Sequence, residues 1–336
     1  MKRGLVTWDK TELVPAVLEQ RLERVRLFLS DQQLPALVVY SELWRSNQGR
    51  FFSNYMPYFN RALLIIPLVA PPTLLCGLSP RVYGWIKSVT IIEDVRPAGN
   101  FAGPLFQLTS ERGWNRVGIL DAKQLPYDLY QAIHSGALEV ADISSDAIYL
   151  PAEDEAELAM RRKALGLARK ILEEEIPKSA GDVDHLLVGR LERQLRRAGA
   201  EDLVIVLSNG DAPPAPAKGA RFGENYSVSL SMEYRGHWVR LSRPHVSAEV
   251  LQDCMRRFVS TLEKARGRRP RLQSDETNTV GASLENLSGS YPYESISRSD
   301  LRPGCIFAMH LEVNNGGKRL FYGDTCYYGA SGPEVL

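Results

Sequence analysis

The sequence predicts an α+β protein with two domains. At 336 residues the chain exceeds the size at which a single hydrophobic core usually stops growing. The first part of the chain contains short apolar runs bounded by Pro, Gly or polar residues, which is typical of an α/β domain. After residue 154 the pattern changes to long amphipathic helices followed by strands with alternating side chains. This second pattern predicts helices beside a mostly antiparallel sheet.

The first domain is predicted to span residues 1–150. Leu18, Leu22, Val25 and Leu29 recur at helical spacing, so an amphipathic helix should end near Ser30. Four apolar runs are predicted as buried strands: Pro35–Tyr40, Arg61–Ile66, Thr73–Cys76 and Val117–Leu120. The segment Ala141–Asp154 mixes Ser, Asp and a proline, and it is predicted to be the linker between the domains.

The second domain is predicted to span residues 151–336, and it begins with two helices. Their apolar stripes are Leu158, Leu165, Ala168, Ile171 and Leu172 in the first helix, and Val183, Leu186, Leu187, Leu191, Leu195 and Ala198 in the second. Gly199 is placed to end the second helix. The predicted strands are Leu203–Leu207, Ser227–Met232, His237–Leu241, Cys305–Leu311, and Arg319–Tyr328 in two pieces.

The composition indicates a globular protein without a nucleic-acid partner. Hydrophobic residues make up 44% and charged residues 24% of the chain, and the formal net charge is +1, so no large basic surface is implied. No segment approaches the length of a membrane span, and the basic start lacks an apolar stretch behind it, so a cytoplasmic protein is expected. The four cysteines are widely scattered, which predicts unpaired thiols and neither a disulfide framework nor a zinc knuckle.

Several segments carry recognisable motifs: Glu155–Ala168, Gly181–Ala200, Tyr226–Pro244 with Gly236 and Arg243, Arg302–His310 and Arg319–Leu336, with Phe51–Met56 and Arg61–Ile66 in the first domain. In order and spacing, these segments resemble the motifs of the pita-bread family of creatinase, prolidase and aminopeptidase P. The resemblance covers nearly the whole chain. It implies a creatinase/prolidase-type α/β domain followed by a pita-bread domain, and it implies a homodimer.

The resemblance also implies that the family's metal site is missing. Metal-dependent members hold two divalent ions with two aspartates, a histidine and two glutamates, a donor set suited to hydroxide attack on an amide. The matching positions here are Ser229, Arg240, the neighbourhood of Val280, His310 and Gly323. A permanently charged arginine repels a metal ion. We therefore expect neither a metal nor another cofactor, and we interpret Val280 and Gly323 as fillers.

Creatinase is the family's metal-independent member, and its residues do not transfer either. By the resemblance, its catalytic histidine would lie in the loop Asp211–Lys218, which contains no histidine. Its two active-site glutamates correspond to Ser242 and His310. Neither known chemistry of the family is therefore expected from this chain.

The hairpin that matches the family motif is predicted to present a polar face. Strict alternation turns Val228, Leu230 and Met232 toward the helices, and it turns Ser229 and Ser231 toward an open cleft. On the partner strand, alternation places Trp238, Arg240 and Ser242 on one face. The resemblance implies a register in which Arg240 lies opposite Ser229. Ser229, Ser231, Trp238, Arg240 and Ser242 form the candidate substrate-binding surface together with His245, which follows Pro244 at the rim.

Each candidate has a functional and a structural interpretation. Arg240 is a candidate anchor for a carboxylate or phosphate, or it pairs with Glu285, Glu312 or Asp324 to fill the vacated cavity. His310 is the candidate general acid or base, with Glu312 in phase on the same strand. The alternative is a satisfied histidine on a half-buried strand whose neighbour belongs to the solvated face. His237 alternates to the helix-covered side.

Three functions follow from these interpretations. The first is a metal-independent hydrolase or lyase that acts on a small anionic, amino-acid-derived or amide-like compound. The second is a pseudoenzyme that binds a peptide or protein. The third is a conventional Xaa-Pro metallopeptidase, which the missing ligands disfavour. A small-molecule or peptide ligand is expected in each case, without nucleic acid and without a membrane.

Overall fold

The computed structural model describes residues 7–136, 138–149, 154–265, 279–287, 294–295, 301–315 and 317–336. The chain divides into two compact units, residues 2–152 and residues 153–336, and each is described by itself. Helices and strands are both abundant in the two units, which confirms the predicted α+β class. Among the described residues, no helix combines the length and the apolarity that crossing a membrane requires.

The first unit is a six-stranded mixed sheet covered on both faces. Its elements are α1 Pro15–Asp31, β1 Ala36–Glu42, α2 Asn47–Ser53, β2 Arg61–Pro67, β3 Thr73–Cys76, α3 Tyr83–Val89, β4 Asp94–Pro97, α4 Ala102–Glu111, β5 Arg116–Leu120, α5 Tyr127–His134, β6 Glu139–Ile143 and α6 Ser145–Tyr149. The strand order is β4-β3-β2-β1-β5-β6. Leu37 and Val39 face the core under α1, whereas Val38 faces the core under α4 and α5. The central strand is therefore apolar on both faces, as the run Pro35–Tyr40 predicted.

The predicted linker is wrong in its first half. Ala141–Ile143 completes β6, which pairs in parallel with β5, and Ser145–Tyr149 is helical. The sequence does not indicate this strand, because it lies at the edge of the sheet, where Asp142 is exposed and a continuous apolar run is not required. The Asp142 carboxylate accepts a hydrogen bond from Ala122 N at 2.9 Å, so this polar residue has a structural partner.

In the part that the structure describes, the second unit is an eight-stranded antiparallel sheet with three helices. Its elements are α7 Glu155–Glu175, α8 Asp184–Arg197, β7 Asp202–Asn209, β8 Tyr226–Tyr234, β9 His237–His245, α9 Ala248–Lys264, β10 Thr279–Asn286, β11 Glu294–Ser295, β12 Ile306–Asn315, β13 Lys318–Gly329 and β14 Gly332–Val335. The strand order is β11-β10-β12-β13-β9-β8-β7, and β14 pairs with β13. The stretch Arg319–Tyr328 is one continuous strand, so its predicted division into two pieces is wrong.

The two helices predicted at the start of the second domain are present as α7 and α8, whereas α9 was not predicted. Asp154 caps α7 by accepting a hydrogen bond from Glu157 N at 3.0 Å, and Gly199 follows α8 with a φ of +107° that favours glycine. Leu187, Leu191 and Leu195 of α8 are fully buried, but Leu186 is 55% exposed and does not belong to the predicted stripe. Val228, Leu230 and Met232 pack in the same core, which confirms that the apolar side of β8 lies under the helices.

The outer strand β7 is covered near its carboxyl end by the proline-rich loop that follows it. Leu207 and Ala215 exchange two backbone hydrogen bonds of 2.8 and 2.9 Å. The Asp184 carboxylate, at the start of α8, holds the same loop by accepting hydrogen bonds from Lys218 N and Gly219 N, both at 2.9 Å. The loop is therefore tied both to the strand and to the helix.

Candidate functional site

A two-residue turn between β8 and β9 sets the register of the candidate site. Arg235 and Gly236 both have positive φ, as a type I′ turn requires, and Tyr234 pairs with His237 across it. Counting back from this turn, Ser231 lies opposite Arg240 and Ser229 lies opposite Ser242. The expectation that Arg240 lies opposite Ser229 is therefore wrong. The two residues share a face as diagonal neighbours.

The face of the second sheet that carries Ser229, Ser231, Arg240, Ser242 and His310 is called the serine face below. Ser229, Ser242, Gly323, His310 and Ser283 follow one another across β8, β9, β13, β12 and β10 in one row of directly paired residues. The prediction of an open cleft is wrong at this row of the serine face. Ser242 is fully buried, and Ser229 and His310 are each 8% exposed.

Three side chains of this row are joined by hydrogen bonds and form what we call the relay. Ser229 Oγ and Ser242 Oγ lie 2.6 Å apart, and Ser242 Oγ lies 3.0 Å from His310 Nδ1. The other ring nitrogen, His310 Nε2, is buried and has no hydrogen-bond partner among the residues that the structure describes. The relay therefore ends in one buried polar atom that something else must satisfy.

The histidine reaches Ser242 only because the residue between them is glycine. Gly323 separates His310 from Ser242 in the row, and the imidazole of His310 lies across its Cα. A Cβ at this position would overlap the ring and would also lie 2.8 Å from the carbonyl oxygen of Met309. The interpretation of Gly323 as a filler is therefore wrong, because the relay requires the absence of a side chain there.

His310 is held in its neutral form. Burial is the main cause that lowers its pKa to about 3, and the positive charges of Arg240 and Arg243 act in the same direction. A base is most effective when its pKa lies near the working pH, so the ring is a weak proton acceptor at neutral pH. A neutral imidazole offers one N–H donor and one acceptor nitrogen, which suits it to hydrogen bonding.

Arg240 is neutralised by a carboxylate of the same sheet. Its Nη1 forms an ion pair with Glu285 Oε2, and both side chains are largely buried. Its main chain is also fixed, since Arg240 N donates to Thr325 Oγ1 at 2.8 Å and Thr325 Oγ1 donates to Arg240 O at 2.9 Å. Of the three carboxylates predicted as partners, Glu285 is the one that the structure brings to Arg240. The arrangement favours the pairing interpretation over an anion site.

The remaining candidate residues lie apart from the relay. Glu312 faces the same side as His310, but its Oε1 lies 2.7 Å from Arg319 Nε, and no hydrogen bond joins it to His310 among the described residues. Trp238 is buried on the serine face. His245 pairs with Tyr226 and stacks on it at 4.8 Å on the helix-covered face, so the structure does not bring it to the serine face. His237 lies 3.6 Å from Glu157 of α7, on the helix-covered side as predicted.

Arg243 and Arg169, neither of which was predicted as a site residue, hold the row in place from the opposite face. Arg243 donates to Ser242 O at 3.0 Å and to Gly323 O at 2.6 Å, and its Nη2 lies 2.6 Å from Asp324 Oδ2. Arg169 of α7 reaches the same carboxylate at 2.8 Å. Arg243 matches an arginine of the family motif, and this match was the one signal that could have indicated its role.

The donor set at the family's ligand positions does not fit a dinuclear metal site. A hydroxyl stands at Ser229, a paired guanidinium at Arg240, no side chain at Gly323, and an imidazole at His310 whose Nδ1 is bonded to Ser242. The side chain of Val280 lies outside the described residues. Within the described ranges, no group of three or more His, Cys, Asp or Glu side chains could hold an ion.

The comparisons with known proteins concern the fold. No protein-family model and no curated protein matches the sequence. The Xaa-Pro dipeptidase from Bacillus anthracis is similar over 95% of this chain and 97% of its own, with a TM-score of 0.72 and 15% identity.

Two further solved structures are similar to the same extent. The prolidase from Pyrococcus horikoshii matches 94% of this chain and 97% of its own, with a TM-score of 0.71 and 15% identity. The X-Pro aminopeptidase from Thermotoga maritima matches 94% of this chain and 96% of its own, with a TM-score of 0.71 and 16% identity. Similarity at these identities concerns architecture and not chemistry. The chain therefore has the pita-bread fold of the creatinase and prolidase family.

Proposed function

We propose that this chain binds a neutral, peptide-like ligand at the serine face of its pita-bread domain, without the two-metal chemistry of peptidases. The observation that carries the proposal is the position of the His310 ring across Gly323. The ring and the absent side chain occupy the two places where the resemblance puts the glutamate ligands of relatives. The groups that remain form hydrogen bonds and do not supply the oxygen ligands of a divalent ion.

Charge supports a neutral ligand. Arg240 and Glu285 cancel each other, and His310 is uncharged at neutral pH. An anionic ligand would have to displace Glu285 and leave that carboxylate largely buried without its partner, which costs several kcal/mol, roughly 3–5. Two of the similar solved structures are an Xaa-Pro dipeptidase and an X-Pro aminopeptidase, which supports a short peptide as the ligand class.

The test combines binding, metal content and turnover. Calorimetric titration with Ala-Pro and with its N-acetylated, C-amidated form should show binding of the blocked peptide. Metal analysis of the purified protein should show no stoichiometric manganese, cobalt or zinc. Release of proline from Ala-Pro after addition of Mn²⁺, Co²⁺ or Zn²⁺ would overturn the proposal.

A second candidate function is a metal-independent hydrolase or lyase that uses His310 and Arg240. The relay itself favours it, because a serine hydroxyl bonded to an imidazole is the arrangement of an activated nucleophile. The low pKa of His310 and the pairing of Arg240 weigh against it. Metal-free turnover of the blocked peptide that is lost in Ser242→Ala and His310→Gln would establish this function in place of binding alone.

The homodimer and the cytoplasmic location remain predictions. Sedimentation of the purified chain measures the first, and fractionation of the source cells measures the second.

A further inference from the structure

The relay can be hydrogen-bonded in two directions. In one, Ser229 donates to Ser242 and Ser242 donates to His310 Nδ1, so the proton of the neutral ring lies on Nε2. In the other, His310 Nδ1 donates to Ser242 and Ser242 donates to Ser229, so Nε2 carries a lone pair. Each hydroxyl has a single proton, so the three groups must choose one direction together.

The two ends of the relay are therefore always complementary. When Nε2 is a donor, the outer hydroxyl at Ser229 offers its lone pairs, and when Nε2 is an acceptor, Ser229 offers its proton. One donor and one acceptor are presented in either direction. By reversing the direction of its hydrogen bonds, the relay can therefore bind a ligand group whichever end of that group carries the donor.

The unsatisfied end points to a ligand. His310 Nε2 is buried without a partner among the described residues, and a buried polar atom left unbonded is destabilising. Ser283 lies directly opposite His310 on β10, and its side chain is exposed. The row therefore reaches the surface at the strand next to the histidine.

We propose that the Ser229–Ser242–His310 relay recognises a neutral group that carries both a hydrogen-bond donor and an acceptor, and that this group is an amide. Esters and ethers lack the donor, so one end of the relay stays unsatisfied when they bind. Carboxylates lack the donor too and add a charge that the Arg240–Glu285 pair does not compensate. The inference rests on the proposed function, since it names the chemical group that the ligand must contain.

A matched pair of probes tests this recognition. N-methylpropanamide and methyl propanoate, neither of which contains a further amide, differ in the one N–H group that the ester replaces with oxygen. Calorimetry should show that the amide binds about tenfold more tightly or better, since one hydrogen bond contributes about 1.4 kcal/mol. Equal affinity would overturn the relay proposal and leave the proposed function standing. Binding of neither these probes nor the blocked Ala-Pro peptide would overturn both.

Variants separate the relay from general packing. Ser242→Ala interrupts the relay, so the preference for the amide should fall to about one, and Ser229→Ala offers the same test if Ser242→Ala does not fold. Ser227→Ala is the matched control, because Ser227 lies on the same face but bonds Phe321 N, outside the relay. It should keep the preference.

The proton position in His310 can be observed directly. The chain has five histidines, so ¹⁵N-detected spectra of the imidazole rings can be assigned with one His310→Gln variant. Adding the amide probe should shift His310 toward a single neutral tautomer, and Ser242→Ala should change its Nδ1 frequency. If the His310 frequencies change in neither experiment, the relay does not respond to the ligand and the proposal is wrong.

Discussion

The imidazole of His310 lies across the Cα of Gly323 and bonds the hydroxyl of Ser242 on the next strand but one. By the resemblance, both His310 and Gly323 occupy glutamate positions of the family's metal site. Histidine and glycine stand at these two positions, and the imidazole ring of His310 occupies the space that a side chain at position 323 would need. The old ligand positions are thus packed against each other.

The packing predicts that Gly323→Ala destabilises the protein. The added Cβ overlaps the His310 ring and a backbone carbonyl, and overpacking of this kind costs about 1–3 kcal/mol. Urea unfolding measures the change. Gly166→Ala is the matched control, because Gly166 lies in the middle of α7 with open space around its Cα, and a helical alanine there should stabilise by about 0.5–1 kcal/mol. Equal effects at the two positions would show that the His310 ring is not held across Gly323.

The ion pair of Arg240 and Glu285 predicts strong coupling between the two residues. Both side chains are largely buried, so removing either one leaves the other charge unpaired, at a cost of about 3–5 kcal/mol. Arg240→Ala and Glu285→Ala should each destabilise the fold, and the double variant should lose clearly less than the sum. The more exposed pair of Arg319 and Glu312 is the control, with an expected coupling of about 0–1 kcal/mol. Additive single effects at Arg240 and Glu285 would contradict the pairing.

Stability should fall as the pH is lowered from 6.5, because of His310. Its pKa is about 3 in the folded protein and near 6.5 in the unfolded chain, so between these values only the unfolded state binds the proton. The free energy of unfolding should therefore rise with pH across this window, by at most about 1.4 kcal/mol per unit, and level off above 6.5. Carboxyl groups whose pKa is lowered in the folded protein affect the free energy of unfolding mainly below pH 4. Unfolding curves between pH 5 and 6.5 therefore report on the histidines.

The variant His310→Gln identifies the source of this slope. The variant should reduce the change in the free energy of unfolding between pH 5 and 6.5, whatever its effect on stability at neutral pH. His245→Gln should flatten it less, because burial also lowers the pKa of His245 but that ring is only partly buried. An unchanged slope in His310→Gln would mean that the ring takes up its proton in the folded state.

The loop after β7 should loosen when Asp184 is replaced. Burial raises the pKa of Asp184, but hydrogen bonds from the backbone of Lys218 and Gly219 outweigh it and keep the pKa below its ordinary value. Asp184→Ala removes both hydrogen bonds, so cleavage by a broad protease within residues 211–219 should become faster. Asp211→Ala is the control, because Asp211 lies in the same loop and is exposed. Equal cleavage of the two variants would show that Asp184 does not hold the loop.

The helices α7 and α8 could be predicted from the sequence, whereas the edge strand β6 could not. The apolar stripes of α7 and α8 repeat over several turns, and few other arrangements bury them. In the five-residue strand β6 only Ile143 is buried, and Glu139 and Asp142 are exposed, so nothing in its sequence requires a strand. Its existence depends on the pairing with β5, which is a tertiary interaction.

The register of the hairpin could have been predicted from the sequence. Arg235-Gly236 between two alternating runs is a two-residue turn signal, and such a turn pairs Ser229 with Ser242 by counting alone. The family motif gave the shared face of Ser229 and Arg240 but not the pairing. The position of the His310 ring across Gly323 could not be predicted from the sequence. It depends on the side-chain conformation of His310 and on the pairing of two strands, which only the folded sheet determines.

The contact between Leu207 and Ala215 determines how the second sheet can associate. An uncovered outer strand offers its backbone to the strands of other molecules and promotes aggregation. Here the chain folds its own proline-rich segment onto the carboxyl-terminal part of that strand. A foreign strand that pairs with the whole of β7 must first displace the segment from both the strand and Asp184, so growth of the sheet by recruitment of neighbours is opposed at that end of β7.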